Sequence, residues 1–391
     1  MANKFDTAID RRGTSSMKWA SLDNENTIAV GLADMDFPTA DAVVDEVMAL
    51  AKFGIHGYAT ITPGYYQSFI QWCACRYEWE VKEEWLLYSP GIIAGMGSAV
   101  RALTEPGDHV IYQTPGFYLL NELTRTNDRV SIQNPLVYAD GRYSIDFEDL
   151  EAKASHTKAK MLLLCNPQNP TGRVYTRNEL QRIADICLRH HVLIVSDEVH
   201  CDMVFAPHKH IPIASLGKEI ADITISCLSP TKTFNMAGLQ TSVNVIPNPE
   251  LRGRFEKDLV SRDSKRPNIF AHAGFKAAYE KGEAWLDDVT AYIKANTDHV
   301  VAYTEQHIPE FKIVKAEGTY LVWIDCSAMQ INGRELREFF LTKANVLIFP
   351  GIEYGEEGRH FIRLNPACAR SLLTEVLDRM AKALAETRPP K

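Results

Sequence analysis

Three short apolar runs constrain most strongly what this chain folds into: Met161 to Cys165, Leu193 to Val195 and Ile223 to Leu228. Each is closed by a polar, turn-rich motif. These are Asn166-Pro167-Gln168-Asn169-Pro170-Thr171-Gly172, Ser196-Asp197-Glu198-Val199-His200 and Ser229-Pro230-Thr231-Lys232-Thr233-Phe234-Asn235. Runs of this length with turn signals behind them read as buried parallel strands. Helix-sized patterns such as Arg177 to His190 lie between them, so right-handed crossovers and a mostly parallel sheet with helices on both faces follow. Side chains at the carboxyl ends of such strands meet in one crevice. Here the crevice gathers an amide from Asn169, a carboxylate from Asp197 and an amine from Lys232.

The α/β alternation runs from about residue 50 to 285, with Val110-Ile111-Tyr112 as a further strand. A long helical stretch, roughly Glu283 to Glu305, comes next. The strand-like segments Gly318 to Ile324, Val346 to Phe349 and His360 to Leu364 then change the pattern. The expected organisation is a large domain over 49–284 and a smaller α+β domain over 285–391, with segment 1–48 packing against the small one. Length supports two units, since 391 residues exceed one ordinary core. Only the tail from Thr387 to Lys391 reads as frayed.

Composition excludes several classes. With 42 basic and 50 acidic residues the net charge is -8, and no basic run is interleaved with aromatics, which disfavours nucleic acid as a partner. No stretch has the length of a membrane span, and the start Met1-Ala2-Asn3-Lys4-Phe5-Asp6 lacks an apolar signal segment, so the expected location is the cytoplasm. The eight cysteines are scattered through apolar runs and read as reduced core residues. Cys73 and Cys75 face different sides of a helix, which argues against a metal site.

An amine, a carboxylate and an amide in one crevice match what a pyridoxal cofactor requires: a partner for its aldehyde, an anion against its ring nitrogen and a donor to its ring oxygen. Ser89-Pro90-Gly91-Ile92-Ile93-Ala94-Gly95 follows the strand-like Trp85 to Tyr88 and opens a helix expected at about Met96 to Leu103. Its backbone amides, those of Ile92 and Ile93 among them, suit a phosphate, and Ser229 and Thr231 add hydroxyls. A plain strand–helix turn is the alternative for this loop. Its glycines do not keep dinucleotide-fingerprint spacing.

These motifs resemble the fold-type I pyridoxal phosphate enzymes, the aspartate aminotransferase superfamily (aminotransferase class I/II). Within it, Asp10 to Trp19, beginning Asp-Arg-Arg-Gly-Thr, and Leu32-Ala33-Asp34-Met35-Asp36-Phe37-Pro38 are similar to the MalY/PatB-type cystathionine β-lyases, or C-S lyases. The resemblance covers nearly the whole chain and implies pyridoxal 5'-phosphate as cofactor. It implies that Lys232 bonds the cofactor and shuttles the substrate's Cα proton, that Asp197 pairs with the ring nitrogen, and that Asn169 reaches the ring oxygen. Phe117, where relatives usually carry Tyr, would stack on the ring, with Tyr118 beside the substrate. Arg363, on a late apolar strand, would hold the α-carboxylate through its planar fork; a structural salt bridge is the competing reading. Tyr58 would reach the phosphate of a neighbouring subunit in a homodimer with shared sites, against a structural aromatic under a loop. His200 stands where many aminotransferases have a tyrosine and would lie near the ring oxygen, and Gln240 stands where many have a phosphate-binding arginine. The implied activity is elimination from a cysteine S-conjugate such as cystathionine to give thiol, pyruvate and ammonia. An aminotransferase is the alternative, and a regulatory protein that keeps the fold without the catalysis is a third reading.

Overall fold

The computed structural model describes residues 3–20, 22 and 24–387. Met1 and Ala2 of the start and positions 388–391 of the tail lie outside them. Seven strands build the central sheet: β1 (Leu86–Ser89), β2 (His109–Thr114), β3 (Val130–Pro135), β4 (Ala159–Cys165), β5 (Leu193–Asp197), β6 (Thr224–Leu228) and β7 (Ser242–Val245). Their order is β1-β7-β6-β5-β4-β2-β3. Pairings among β2 to β6 are parallel, and β7 alone runs antiparallel to both its neighbours.

The sheet is apolar on both faces because successive side chains point to opposite sides. Ile111, Leu162, Leu164 and Ile194 pack on one face with Leu180 and Ile183. Val110, Met161, Leu163, Val195 and Ile225 pack on the other with Met96, Val100 and Phe255. The first face is covered by α2 (Arg177–His190), started by a reciprocal capping box between Thr176 and Glu179. The second is covered by α1 (Ile92–Leu103). This helix begins four residues before the expected Met96, directly after Gly91, whose φ of 122° breaks the strand. Ile92 and Ile93 are therefore its first turn and not the loop ahead of it.

Chain order reverses between β2 and β4. That switch point is where loops diverge and leave a crevice at the carboxyl edge. Register keeps that edge level: Cys165 lies opposite Asp197, which lies opposite Cys227.

After α3 (Glu283–His307) comes a four-stranded antiparallel sheet of β8 (Lys312–Ile313), β9 (Val322–Asp325), β10 (Phe349–Pro350) and β11 (Phe361–Leu364), in the order β8-β9-β11-β10. The strand-like run Gly318 to Ile324 forms regular strand only from Val322, because Thr319 takes a positive φ and Gly318 makes a lone bridge to Val204. The run Val346 to Phe349 divides. Val346–Leu347 pairs in parallel with Ile28–Ala29, and Phe349 starts β10. Trp19, Ile28 and Val30 share a core with Val322, Ile324, Ile362 and Leu377.

From there the N-terminal segment crosses the carboxyl edge of the large sheet as a strap over 31–37. Its acids are answered by cations from further upstream. Asp36 accepts from Lys18 Nζ at 2.7 Å, Trp19 Nε1 at 3.0 Å and Arg11 Nη1 at 2.8 Å, while Asp34 Oδ2 accepts from Arg11 Nη2 at 2.9 Å. The Lys18 side chain is fully enclosed. Asp36→Ala therefore leaves a buried ammonium with only the more distant Asp34, 3.8 Å away, and a loss of roughly 3 kcal/mol is expected. Urea unfolding measures it, and a loss under about 1 kcal/mol would contradict a clamp of this kind.

Candidate active site

Lys232 sits in the single turn Pro230–Thr233 that follows β6, capped by Ser229, whose Oγ accepts from the Thr231 N–H at 3.1 Å. The Lys232 Nζ donates to the carbonyl of Ala33 on the strap. Burial lowers its pKa to about 8, Arg363 pushing the same way and Asp34 and Asp197 opposing. Thr233 anchors the turn from behind, donating to the buried Asp202 at 2.8 Å.

Asp197 ends β5. It is buried, accepts from the Val199 N–H at 3.1 Å, and forms no salt bridge among the described residues. Burial raises its pKa to about 6. His200, on the loop that follows, is buried edge-on against Tyr320, with ring centroids 5.4 Å apart, and its Nδ1 has no partner. Burial, then the Lys232 and Arg363 charges, lower its pKa to about 3, so it is neutral at physiological pH.

Arg363, on β11, is 2% exposed. Its Nη1 donates to Asn169 Oδ1 at 3.0 Å and its Nη2 to the Gly31 carbonyl at 2.8 Å, while Nε has no partner. The guanidinium carbon lies 5.1 Å from the ring centroids of Phe349 and Tyr354. No salt bridge reaches it among the described residues, so the competing reading of a structural ion pair is not met. Burial lowers its pKa, yet an arginine stays charged.

Asn169 is thereby brought to Arg363 as well as to the crevice. Its loop is tied to the one after β2 by Gln168, whose Nε2 donates to the Pro115 carbonyl at 2.7 Å. Phe117 caps the helix Tyr118–Thr126 and packs between the cores of both sheet faces. Tyr118 is 38% exposed and stacks on Phe349 at 6.1 Å. Beside Arg363 a cleft of about 780 Å³ adjoins the crevice, lined by Gly31, Leu32, Tyr118 and Phe349 among others.

Ile92 and Ile93 place the N-terminal amides of α1 at the end of β1, where a helix leaves its first donors free. Ser229 and Thr231 share a hydroxyl contact of 2.7 Å, and Ser229 also donates to the Thr241 carbonyl at 2.6 Å. Gln240 is exposed, and its carbonyl accepts from the Tyr88 hydroxyl at 2.9 Å. Tyr58 is not brought to this crevice by its own chain: it is 99% exposed.

Three contributors carry no role in the reading of the sequence, although Asn235 closes the lysine motif. Tyr320 donates to the Ala33 carbonyl at 3.4 Å and flanks His200. Asn235 fixes the strap, accepting from the Met35 N–H at 3.0 Å and donating to the Phe37 carbonyl at 2.8 Å. Asn365 donates to the carbonyls of Leu32 and Asp34 at 2.8 and 2.6 Å. The available signal was two acids inside the otherwise apolar Gly31 to Phe37 run, which must find partners if buried.

A buried carboxylate without a cation, a buried guanidinium without an acid, a depressed amine and a helix N-terminus fit pyridoxal phosphate bound to an α-amino acid. An open parallel sheet with this set at its carboxyl edge defines an α/β protein of the aminotransferase type. Residues 26–380 match the family described as aminotransferase class I and II. The chain is 38% identical over 385 residues to cystathionine beta-lyase PatB of Bacillus subtilis, covering 97% of this chain and all of that one. It is 30% identical over 391 residues to protein MalY of Escherichia coli, covering 98% and 99%. The structure of cystalysin from Treponema denticola, which contains a pyridoxal 5'-phosphate cofactor, superposes with a TM-score of 0.96 at 32% identity over 99% of this chain and all of that one. The chain belongs to the aminotransferase class I and II family.

The Lys232 pKa carries a stability consequence. It lies below the ordinary value of 10.5, so between about pH 8 and 10.5 the unfolded chain binds more protons and stability rises with pH. Below that window the full cost of the buried charge is present. In protein freed of cofactor, Lys232→Met is expected to stabilise by on the order of 2 kcal/mol at pH 7, after allowing for the lost bond to Ala33. The gain should vanish by about pH 10.5. Denaturation at both pH values measures it, and a pH-independent difference would contradict the assignment.

Proposed function

We propose that the chain is a pyridoxal 5'-phosphate-dependent C–S β-lyase that converts cystathionine or another cysteine S-conjugate to a thiol, pyruvate and ammonia. The observation that carries this reading is Arg363: a buried cation lacking an acid, acting on the Lys232 amine, is a receptor for the carboxylate of an amino acid. Full-length similarity to cystathionine beta-lyase PatB supports elimination as the outcome.

When bound, pyridoxal phosphate supplies an electron sink that makes a proton on the substrate Cα removable. Lys232 is the residue that would hold the cofactor, and its free amine, with a pKa of about 8, would accept the Cα proton near neutral pH. Asp197 would hold the ring nitrogen, whose positive charge would compensate a carboxylate that burial otherwise disfavours. Asn169 would serve the ring oxygen through its amide donor while its Oδ1 orients Arg363, and neutral His200 would lie near the same oxygen. Ile92, Ile93, Ser229 and Thr231 receive the phosphate. Phe117 would cover the ring face, and Tyr118 borders the cleft that would take the sulfur substituent.

A homodimer completes the site in this reading, with Tyr58 serving the partner's phosphate. Support comes from its exposure, shared by the nearby Phe53 and Ile55. A cytoplasmic location accords with eight unpaired cysteines. Among the described residues no helix is long and apolar enough to cross a membrane. The pairing of Ile28–Ala29 with Val346–Leu347 supports joining that stretch of 1–48 to the smaller unit at 285–391, whereas Phe5, Phe37 and Val43 pack with Tyr65, Phe69 and Phe275 of the larger unit at 49–284.

Holoenzyme given cystathionine or S-methylcysteine without any oxo acid is expected to turn over many times, releasing thiol and pyruvate in equal amounts. Arrest after one turnover, relieved by an oxo acid, would identify an aminotransferase instead.

A further inference from the structure

Buried side-chain atoms left without a hydrogen bond occur on three of the described Asp, Glu, Lys or Arg residues: Asp34, Glu357 and Arg363. Two of these, of opposite sign, bracket Lys232. Arg363 grips the strap at the Gly31 carbonyl, and Lys232 reaches the carbonyl of Ala33, next to Asp34. Both charges act on the Lys232 amine.

Asp34 is held firmly. Its Oδ2 accepts from Arg11 at 2.9 Å, and its backbone carbonyl accepts from Asn365 at 2.6 Å and Lys18 at 3.5 Å. Its Oδ1 accepts nothing. Lys18 Nζ stands 3.8 Å from it, an ion pair without a hydrogen bond, and directs its ammonium to Asp36 at 2.7 Å. A carboxylate needed only for an ion pair would have no reason to leave one oxygen enclosed and unmet, since an unmade hydrogen bond to a buried charge is expensive. The one flexible cation at hand, Lys232, donates to Ala33 instead.

We propose that Asp34 is the receptor for the substrate's α-ammonium group, so that an incoming amino acid is held at both ends of its zwitterion, by Arg363 at the carboxylate and by Asp34 Oδ1 at the amine. The inference rests on the reading of Arg363 as the carboxylate site. It names a function for the strap acid beyond its contact with Arg11: the site selects free α-amino acids by charge before any bond is made, and it places the amine beside Lys232.

The test compares two probes on holoenzyme, S-methyl-L-cysteine and its amine-free counterpart 3-(methylthio)propanoate. Apparent affinities are read by rapid mixing, from the fast change in bound-cofactor absorbance that precedes turnover of the first and from competition of the second with that phase. Asp34→Asn should reduce the preference for the amine-bearing probe roughly ten- to a hundredfold, the worth of one charge-assisted hydrogen bond. Arg11→Leu removes the hydrogen-bonded cation from Oδ2 but keeps the carboxylate and its Lys18 neighbour, and should preserve the preference to within about threefold. Equal losses in the two variants, or an undiminished preference in Asp34→Asn, would overturn the proposal. If Asp34→Asn loses the cofactor absorbance, Asp34→Glu decides: a preference near wild type supports the receptor, and its loss refutes it. Failure of the amine-free acid to compete with wild-type enzyme would instead remove the Arg363 reading beneath it.

Discussion

A guanidinium buried with only neutral acceptors around it sets the terms for the rest of this molecule. Taking a charge from water costs several kcal/mol even after the surroundings relax, and Asn169, the Gly31 carbonyl and two aromatic rings repay only part of that for Arg363. The structure tolerates the deficit because three separate parts of the chain converge to hold it: β11 presents the arginine, the loop after β4 brings Asn169, and the strap brings Gly31. In the proposed function, a deficit of this kind, maintained by long-range contacts, is what the substrate's carboxylate would fill.

Around that cation the remaining charges are arranged in alternation. Asp34 lies on the strap, Lys232 on the turn after β6 and Asp197 at the end of β5, each shifting or shifted by its neighbours. The level carboxyl edge of β4, β5 and β6 fixes the heights from which Asn169, Asp197 and Lys232 project. The strap closes the crevice from the other side, and its rigidity comes from the Arg11, Lys18 and Trp19 contacts to Asp34 and Asp36. Depressing the lysine pKa and leaving the arginine unpaired are thus two results of one enclosure, and both serve chemistry on an α-amino acid.

Much of this was legible in the sequence where local pattern decides structure. The strands β4, β5 and β6 and the helix Arg177–His190 follow from apolar period and capping residues, and with them the convergence of Asn169, Asp197 and Lys232. The start of α1 was not legible, because Gly91, Gly95 and Gly97 weaken any helix signal, while packing of Met96, Ala99 and Val100 against the sheet stabilises the helix regardless. β7 escaped notice as a four-residue strand of alternating Ser, Val, Asn and Val. The strap clamp joins residues 17 to 25 positions apart through irregular chain, and spacing of that kind carries no period. For the same reason Arg363 could be suspected as a receptor from its apolar surroundings, but its lack of an acid partner is a property of tertiary structure alone.

The account turns on whether Arg363 holds the substrate's carboxylate. The direct measurement is the affinity of holoenzyme for S-methyl-L-cysteine against its methyl ester, read from the cofactor absorbance, in wild type and in Arg363→Ala. Wild type should prefer the free acid by roughly a hundredfold, as a bidentate charge-assisted pair implies, and the variant should bind acid and ester about equally while retaining its cofactor. An Arg363→Ala enzyme that still prefers the free acid to the same degree would contradict the central claim.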